Sequence, residues 1–310
     1  MKKFHRAALG AIATAAVVGL ALAGCASSTS LSGGGSGGGK AESITVGSAN
    51  FPENVALAYV YGGALKAAGA DVSYKVNIGA RSAYYTALTN GEIDLVPEYA
   101  GSILSYLDKA ANAKSGDAVK SALDSALPAT LVAGTFSDAA DSDSLNVTAD
   151  YAKANNLTSI ADLANVSGNV IVAANPEFET RPDGIPGLKS VYGLTNLTFQ
   201  AINDSGGPAT AKALQDGTVQ VADIYSTTPS ITDDKFVTLT DPKNLFASQQ
   251  VVPIGTKKKL SAKLLDALNK VSAKLTTKDL LAFNSRIGGS EKADPQTVAN
   301  DWLKANGFTK

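Results

Sequence analysis

One histidine and one cysteine, His5 and Cys25, are all that the 310 residues contain, and both lie close to the N-terminus. This excludes a Ser-His-Asp triad, a cysteine nucleophile in the body of the chain and a histidine-built zinc site. A basic surplus is also missing, since 27 Lys and Arg stand against 28 Asp and Glu. Three of those cations, Lys2, Lys3 and Arg6, belong to the extreme N-terminus. The rest of the chain is acidic on balance and gives no support to nucleic-acid binding, which requires a basic surface. No glycine-rich phosphate loop precedes a helix in the required context. Asp138, Asp141 and Asp143 stand close together, but the glycine and distal glutamate of a calcium loop are not at their fixed offsets. A solvated loop is expected there, and neither a metal nor a cofactor.

What is present starts with Lys2, Lys3 and Arg6, leading into a small-apolar run from Ala7 to Ala23. That run is short for a bilayer span and has the length of a signal-peptide core. It closes in Leu22-Ala23-Gly24-Cys25, which resembles a bacterial lipoprotein signal, cleaved before Cys25 and lipidated on the new terminal cysteine. An ordinary secretory signal with an incidental cysteine is the alternative. Residues 1–24 are then the signal peptide, and 25–42 a lipidated Cys25 with a Ser/Gly-rich tether containing Gly33-Gly34-Gly35 and Gly37-Gly38-Gly39. Such a segment buries no apolar surface and acts as a flexible spacer. The expected location is the extracytoplasmic face of the cell membrane, by a lipid anchor.

The body is organised around Ala87 to Ile103, read as a helix end, a turn at Gly91, a short buried strand and Tyr99 where that strand stops. The same grammar returns from Ala213-Leu214 through Gly217 to Tyr225, with each tyrosine at the same offset from its glycine. Ile44-Thr45-Val46 and Val170-Ile171-Val172 stand at equal distances before the two tyrosines. Strands that are apolar on both faces suit the interior of a parallel sheet covered by helices, and ligands bind beyond the carboxyl ends of such strands. Two copies are too few for a solenoid. They fit two facing α/β lobes, with chance similarity as the alternative. The expected division is 43–145 plus 252–310 for the first lobe and 146–251 for the second.

Local signals fill in the elements. Pro52 opens a helix that Gly69 closes, Asp71 to Ile78 alternates as a strand, and a helix from Ala118 to Leu127 stops at Pro128. Thr158 is placed to cap a helix through Ile160 and Leu163, and Pro208 begins the helix ending at Gly217. Leu260, Leu264, Leu268, Val271 and Leu275 form one helical stripe, and helices from Thr277 and from Asp294-Pro295 come after it.

Chemistry for turnover is thin. Glu92, Asp94 and Glu98 could serve a glycosidase-type mechanism, but they read more simply as polar ends of a buried strand and its turn. Binding chemistry is better supplied. Tyrosine faces attract a desolvated cation, and the planar fork of Arg181 suits a carboxylate.

The residues Val46-Gly47-Ser48-Ala49-Asn50-Phe51, Gly91-Glu92-Ile93-Asp94 with Pro97-Glu98-Tyr99, Arg181 with Asp183-Gly184, and Tyr192-Gly193 closely resemble the substrate-binding lipoproteins of osmoprotectant ABC transporters, which take up glycine betaine, carnitine or choline. The likeness runs from Ile44 through the Asp294-Pro295 helix. It implies a two-lobed, type II-like periplasmic-binding-protein fold joined by two crossing segments. The implied partners are a small cationic or zwitterionic solute and an ABC permease with its ATPase, for a monomer that is not an enzyme. By the same resemblance Tyr99 and Tyr225 are cage tyrosines, Ser102 and Arg181 hold a carboxylate, and Asn50 lies in the first pocket loop. Ala49 stands where members often carry lysine. Two further cage positions fall near Asp143 and Gln249, neither aromatic, and an aspartate there favours an amine that still carries N–H donors. A carboxylate-using surface enzyme and a non-transport sensor or adhesion lipoprotein are the competing functions.

Overall fold

The computed structural model describes residues 41–310, so the expected signal peptide, Cys25 and the tether up to Lys40 lie outside the described residues. Ile44 and Val46 are fully buried in the first strand, β1 (Ser43–Gly47). Helix α1 (Pro52–Ala67) is next, with Pro52 in its first turn, where no backbone N–H is needed. Then come β2 (Asp71–Lys75), α2 (Arg81–Thr89), β3 (Leu95–Tyr99), α3 (Ala100–Leu107), α4 (Gly116–Ala126) and the short β4 (Leu131–Ala133).

The second lobe repeats the plan with β5 (Leu145–Val147), α5 (Ala149–Asn155), β6 (Val170–Ala174), α6 (Ile185–Tyr192) and β7 (Leu197–Ala201). It continues through α7 (Pro208–Gln215), β8 (Val221–Asp223), α8 (Ser230–Asp233) and β9 (Val237–Thr238). The chain then returns as β10 (Val251–Thr256) and finishes in α9 (Ala262–Ser272), α10 (Thr277–Gly288) and α11 (Pro295–Ala305).

Two mixed sheets result, ordered β2-β1-β3-β10-β4 and β7-β6-β8-β5-β9. The internal repeat is visible in them. In each, three strands run parallel, with Val46 opposite Leu95 in the first sheet and Val172 opposite Val221 in the second. Gly91 and Gly217, at φ +75° and +71°, make the left-handed turns between helix and strand. The parallel strands expected are joined in each sheet by antiparallel ones that the sequence reading did not place. β10 lies antiparallel on β3 (Val251 opposite Tyr99), and β5 antiparallel on β8 (Leu145 opposite Asp223). Each of these two strands enters its sheet directly from the other sheet, so its direction is reversed.

The chain therefore passes between the sheets twice, over 134–144 and 239–250, and the two passages bind each other. Asp141 N donates to Gln249 O at 3.3 Å, and Ala140 pairs with Gln250 as an antiparallel bridge. The Leu264, Leu268 and Val271 stripe packs with Leu260, Leu275, α1 and Trp302 in the core of the first lobe.

Four local expectations change. The strand from Asp71 stops at Lys75 rather than Ile78, because Asn77 turns left-handed at φ 56°. The helix expected from Ala118 starts at Gly116, with the Ser115 side chain as its cap. The cap expected at Thr158 is Ser159, which forms a reciprocal capping box with Asp162 on a 3-10 turn, Ile160–Asn165. Finally, Asp141 and Asp143 are not on a solvated loop. Each is only 8% exposed, because the polar segment is one of the inner passages and its carboxylates are held by long-range partners. Among the described residues no group of three or more His, Cys, Asp or Glu could hold a metal ion.

Candidate functional site

The parallel strands of both sheets deliver their following loops to one cleft of about 460 Å³. Asn50 and Phe51 follow β1, Arg81 and Tyr84 follow β2, and Ser102 follows β3 in the first turn of α3. From the second sheet come Phe178 and Arg181 after β6, Ser205 after β7, and Asp223 with Tyr225 at the end of β8. This is the place where open α/β sheets bind ligands. A deeper recess is lined by Phe51, Arg81, Tyr99, Ser102, Asp141, Asp143, Arg181 and Tyr225.

The structure brings Tyr99 and Tyr225 together through a third ring that the sequence pattern did not place in the site. Phe51 lies between them, its centroid 5.9 Å from Tyr99 and 6.0 Å from Tyr225. Its signal was available: it directly follows the first strand's loop, the position from which such folds reach a ligand. Each tyrosine is fixed by its hydroxyl. Tyr99 donates to Glu53 Oε1 at 2.6 Å, while Tyr225 accepts from Asn175 Nδ2 at 2.9 Å. Burial first, then neighbouring carboxylates (Glu53 for Tyr99, Asp143 for Tyr225), push both phenols upward, so they remain neutral.

Arg181 is not a free fork. Its Nη2 lies 2.6 Å from Asp143 Oδ1 and its Nε 3.1 Å from Asp183 Oδ1. Both nitrogens are closed off from solvent and held as ion pairs by these aspartates. The guanidinium also stacks over Phe178, 5.0 Å from its centroid. Burial opposes its charge, but Asp143, Asp183 and Asp223 more than offset that, and the group stays cationic. Arg81, which no sequence signal singled out, is held in the same way by Glu98, with both carboxylate oxygens between 3.1 and 3.3 Å. Tyr84 adds a bond to Glu98 at 2.9 Å.

The remaining expected residues divide. Ser102 and the exposed Asn50 line the cleft. Asp143 lines the recess. Gln249 does not line the cleft: it is buried beneath it, where its Oε1 accepts from Ser102 N at 2.9 Å and its Nε2 has no partner. Glu92, Asp94 and Glu98 do not converge. Glu92 pairs with Lys75 at the surface, Asp94 accepts from Thr45 N, and Glu98 serves Arg81.

Behind the rings sits a buried acid pair that the sequence did not reveal. Glu53 receives hydrogen bonds at 2.6 Å from Tyr99, Thr227 Oγ1 and Asn284 Nδ2. Asp141 beside it accepts from Thr227 N at 3.1 Å. Tyr99 and Asn284 belong to the first lobe and Thr227 to the second, so Glu53 ties the lobes across the cleft floor. Burial raises Glu53, and burial together with the Glu53 charge raises Asp141 strongly. Asp223 is likewise raised, by burial and then by Asp143. Apart from these raised acids, three carboxylates, Glu98, Asp143 and Asp183, stand against the two arginines around three aromatic faces, an arrangement suited to a compact cation.

Two lobes with a cleft at their strand ends, joined by paired passages, define the two-lobed solute-binding fold. Residues 42–305 match the family described as the substrate binding domain of ABC-type glycine betaine transport systems, and the chain belongs to that family. It is 30% identical over 284 residues to the glycine betaine-binding protein YehZ of Escherichia coli K12, across 87% of this chain and 92% of that protein. The apo structure of Escherichia coli YehZ superposes with a TM-score of 0.63 at 27% identity, covering 87% of this chain and 100% of that one. A crystal structure of a glycine betaine/carnitine/choline ABC transporter protein gives 0.69 at 21% identity, over 87% of this chain and 99% of that one. At that identity the likeness is one of fold. Family and fold agree with the resemblance read from the sequence. Among the described residues no helix is long and apolar enough to cross a membrane.

Proposed function

We propose that this protein captures a small cationic or zwitterionic solute between its lobes and delivers it to an ABC permease, acting by stoichiometric binding without turnover. The observation that carries this reading is the set of three rings, Phe51, Tyr99 and Tyr225, gathered from both lobes at the strand ends and set among surplus carboxylates. Such faces attract a desolvated cation by about 0.5–2 kcal/mol each. The Escherichia coli relative named for glycine betaine supports the solute class. Arg181, in the cleft wall, serves a ligand carboxylate where one is present.

The proposal includes anchoring. The body works as a monomer at the outer face of the cytoplasmic membrane, tethered through lipid on Cys25, with lobes 43–145 plus 252–310 and 146–251 hinged near Leu145 and Val251. A thermal-shift screen of betaines, choline, carnitine, polyamines and amino acids tests the binding claim, since a native-state ligand raises apparent stability. A dose-dependent rise with one such solute is expected. No rise with any cationic or zwitterionic solute would sink the reading.

A further inference from the structure

We infer that the solute's cationic nitrogen carries N–H donors, as in a primary or secondary ammonium, and that Asp223 with Asp143 selects it over a quaternary ammonium. This rests on the binding role proposed above and names the class of solute for the same cleft. A fully methylated nitrogen presents only C–H surface. It is best served by aromatic faces on several sides and gives a carboxylate no hydrogen bond. Here the rings form one run, Tyr99 to Phe51 to Tyr225. The rest of the recess is polar: Asp141, Asp143, Ser102 and the two arginines.

Asp223 supplies the specific mark. It is 2% exposed, lines the cleft two positions before Tyr225, and its Oδ1 has no hydrogen-bond partner. Buried carboxylate oxygens without partners are costly, so at this oxygen, next to Asp143, a donor brought by a solute in the cleft is favoured. Arg181 does not fill the role, because its nearest approaches are to Asp143 and Asp183. An ammonium with N–H groups can lay its methylene carbons on Phe51 and Tyr225 and direct its donors to Asp223 and Asp143. The quaternary form satisfies the rings and leaves Asp223 Oδ1 unpaired.

The test is calorimetric titration of two methylation series, choline down to ethanolamine and glycine betaine down to glycine, against the wild-type protein. In the series that binds, affinity is expected to rise by roughly tenfold or more from the quaternary member to the N–H-bearing members, the size of one good charge-assisted hydrogen bond. Asp223→Asn is expected to weaken the N–H-bearing member at least roughly tenfold more than its quaternary counterpart. Asp143→Asn serves as the second variant, with circular dichroism confirming that each is folded. A quaternary member that binds as tightly as or tighter than the others overturns this inference and leaves the solute-binding role standing. So does a folded Asp223→Asn that weakens both members equally. No binding by any member of either series overturns the inference, while the binding role is judged by the wider solute screen.

Discussion

Replacing Glu53 should show how the floor of the cleft holds the two lobes in register. In the native chain its carboxyl accepts from Tyr99, Thr227 and Asn284, all at 2.6 Å, and it is buried. Glu53→Ala leaves the Tyr99 and Thr227 hydroxyls without an acceptor, while Asn284 Nδ2 keeps Thr227 O and Oγ1 at 3.0 and 3.1 Å. At about 1–3 kcal/mol for each orphaned group, the loss should be about 2 kcal/mol or more. Glu53→Gln resembles the protonated acid and keeps one acceptor oxygen, with the Tyr99 hydroxyl free to rotate and accept from the new amide. That variant should lose only about 1 kcal/mol. Thr227→Val removes the hydroxyl bond from the second lobe to Glu53, leaves the Asn284 bond to Thr227 O in place, and should fall near the Gln value. Urea unfolding gives all three on one scale. An alanine variant within about 1 kcal/mol of wild type, or a glutamine variant as damaged as the alanine one, would refute the reasoning.

Three further outcomes are expected. The raised acids Glu53, Asp141 and Asp223 contribute stability that is present below their ordinary values of 4.5 and 3.8 and lost as pH rises through their higher folded-state values. Thermal stability should therefore fall as pH rises above those ordinary values, and Asp141→Asn, facing Glu53, Asp143 and Tyr99, should flatten that slope; an unchanged slope in this variant would contradict the assignment. Cys25→Ser should release the body to the aqueous fraction or block processing, and retained lipid labelling would exclude the anchor. Small-angle scattering should show a smaller radius at ligand saturation, because such lobes close by hinge motion around a small solute; constant dimensions at proven saturation would count against a hinge near Leu145 and Val251.

Much of the fold was legible because it is written locally. Gly91 and Gly217 mark the same left-handed turn in each lobe, and the apolar runs before Tyr99 and Tyr225 become central strands. Their equal offsets are why both tyrosines were found. The antiparallel insertions of β5 and β10 were harder, since strand direction is decided by where the chain comes from and not by residue pattern. Asp141 and Asp143 misled for a related reason. Their neighbours are short and polar, as on a solvated loop, and only Thr227 and Arg181, far along the chain, explain their burial. Glu53 was hidden as one acidic residue in the first turn of a helix, where it also reads as complementing the helix dipole. Arg81 and Asp223 were missed because their roles depend on partners from other strand ends.

The central claim is that a solute nitrogen sits against Phe51, Tyr99 and Tyr225 between the lobes, and a crystal structure of the complex with the ligand found in the screen tests it most directly. The account predicts the nitrogen within about 6 Å of these ring centroids, with Asp143 or Asp223 in hydrogen-bond reach where the nitrogen carries a proton. A ligand bound outside this recess, with the three rings untouched, would contradict it.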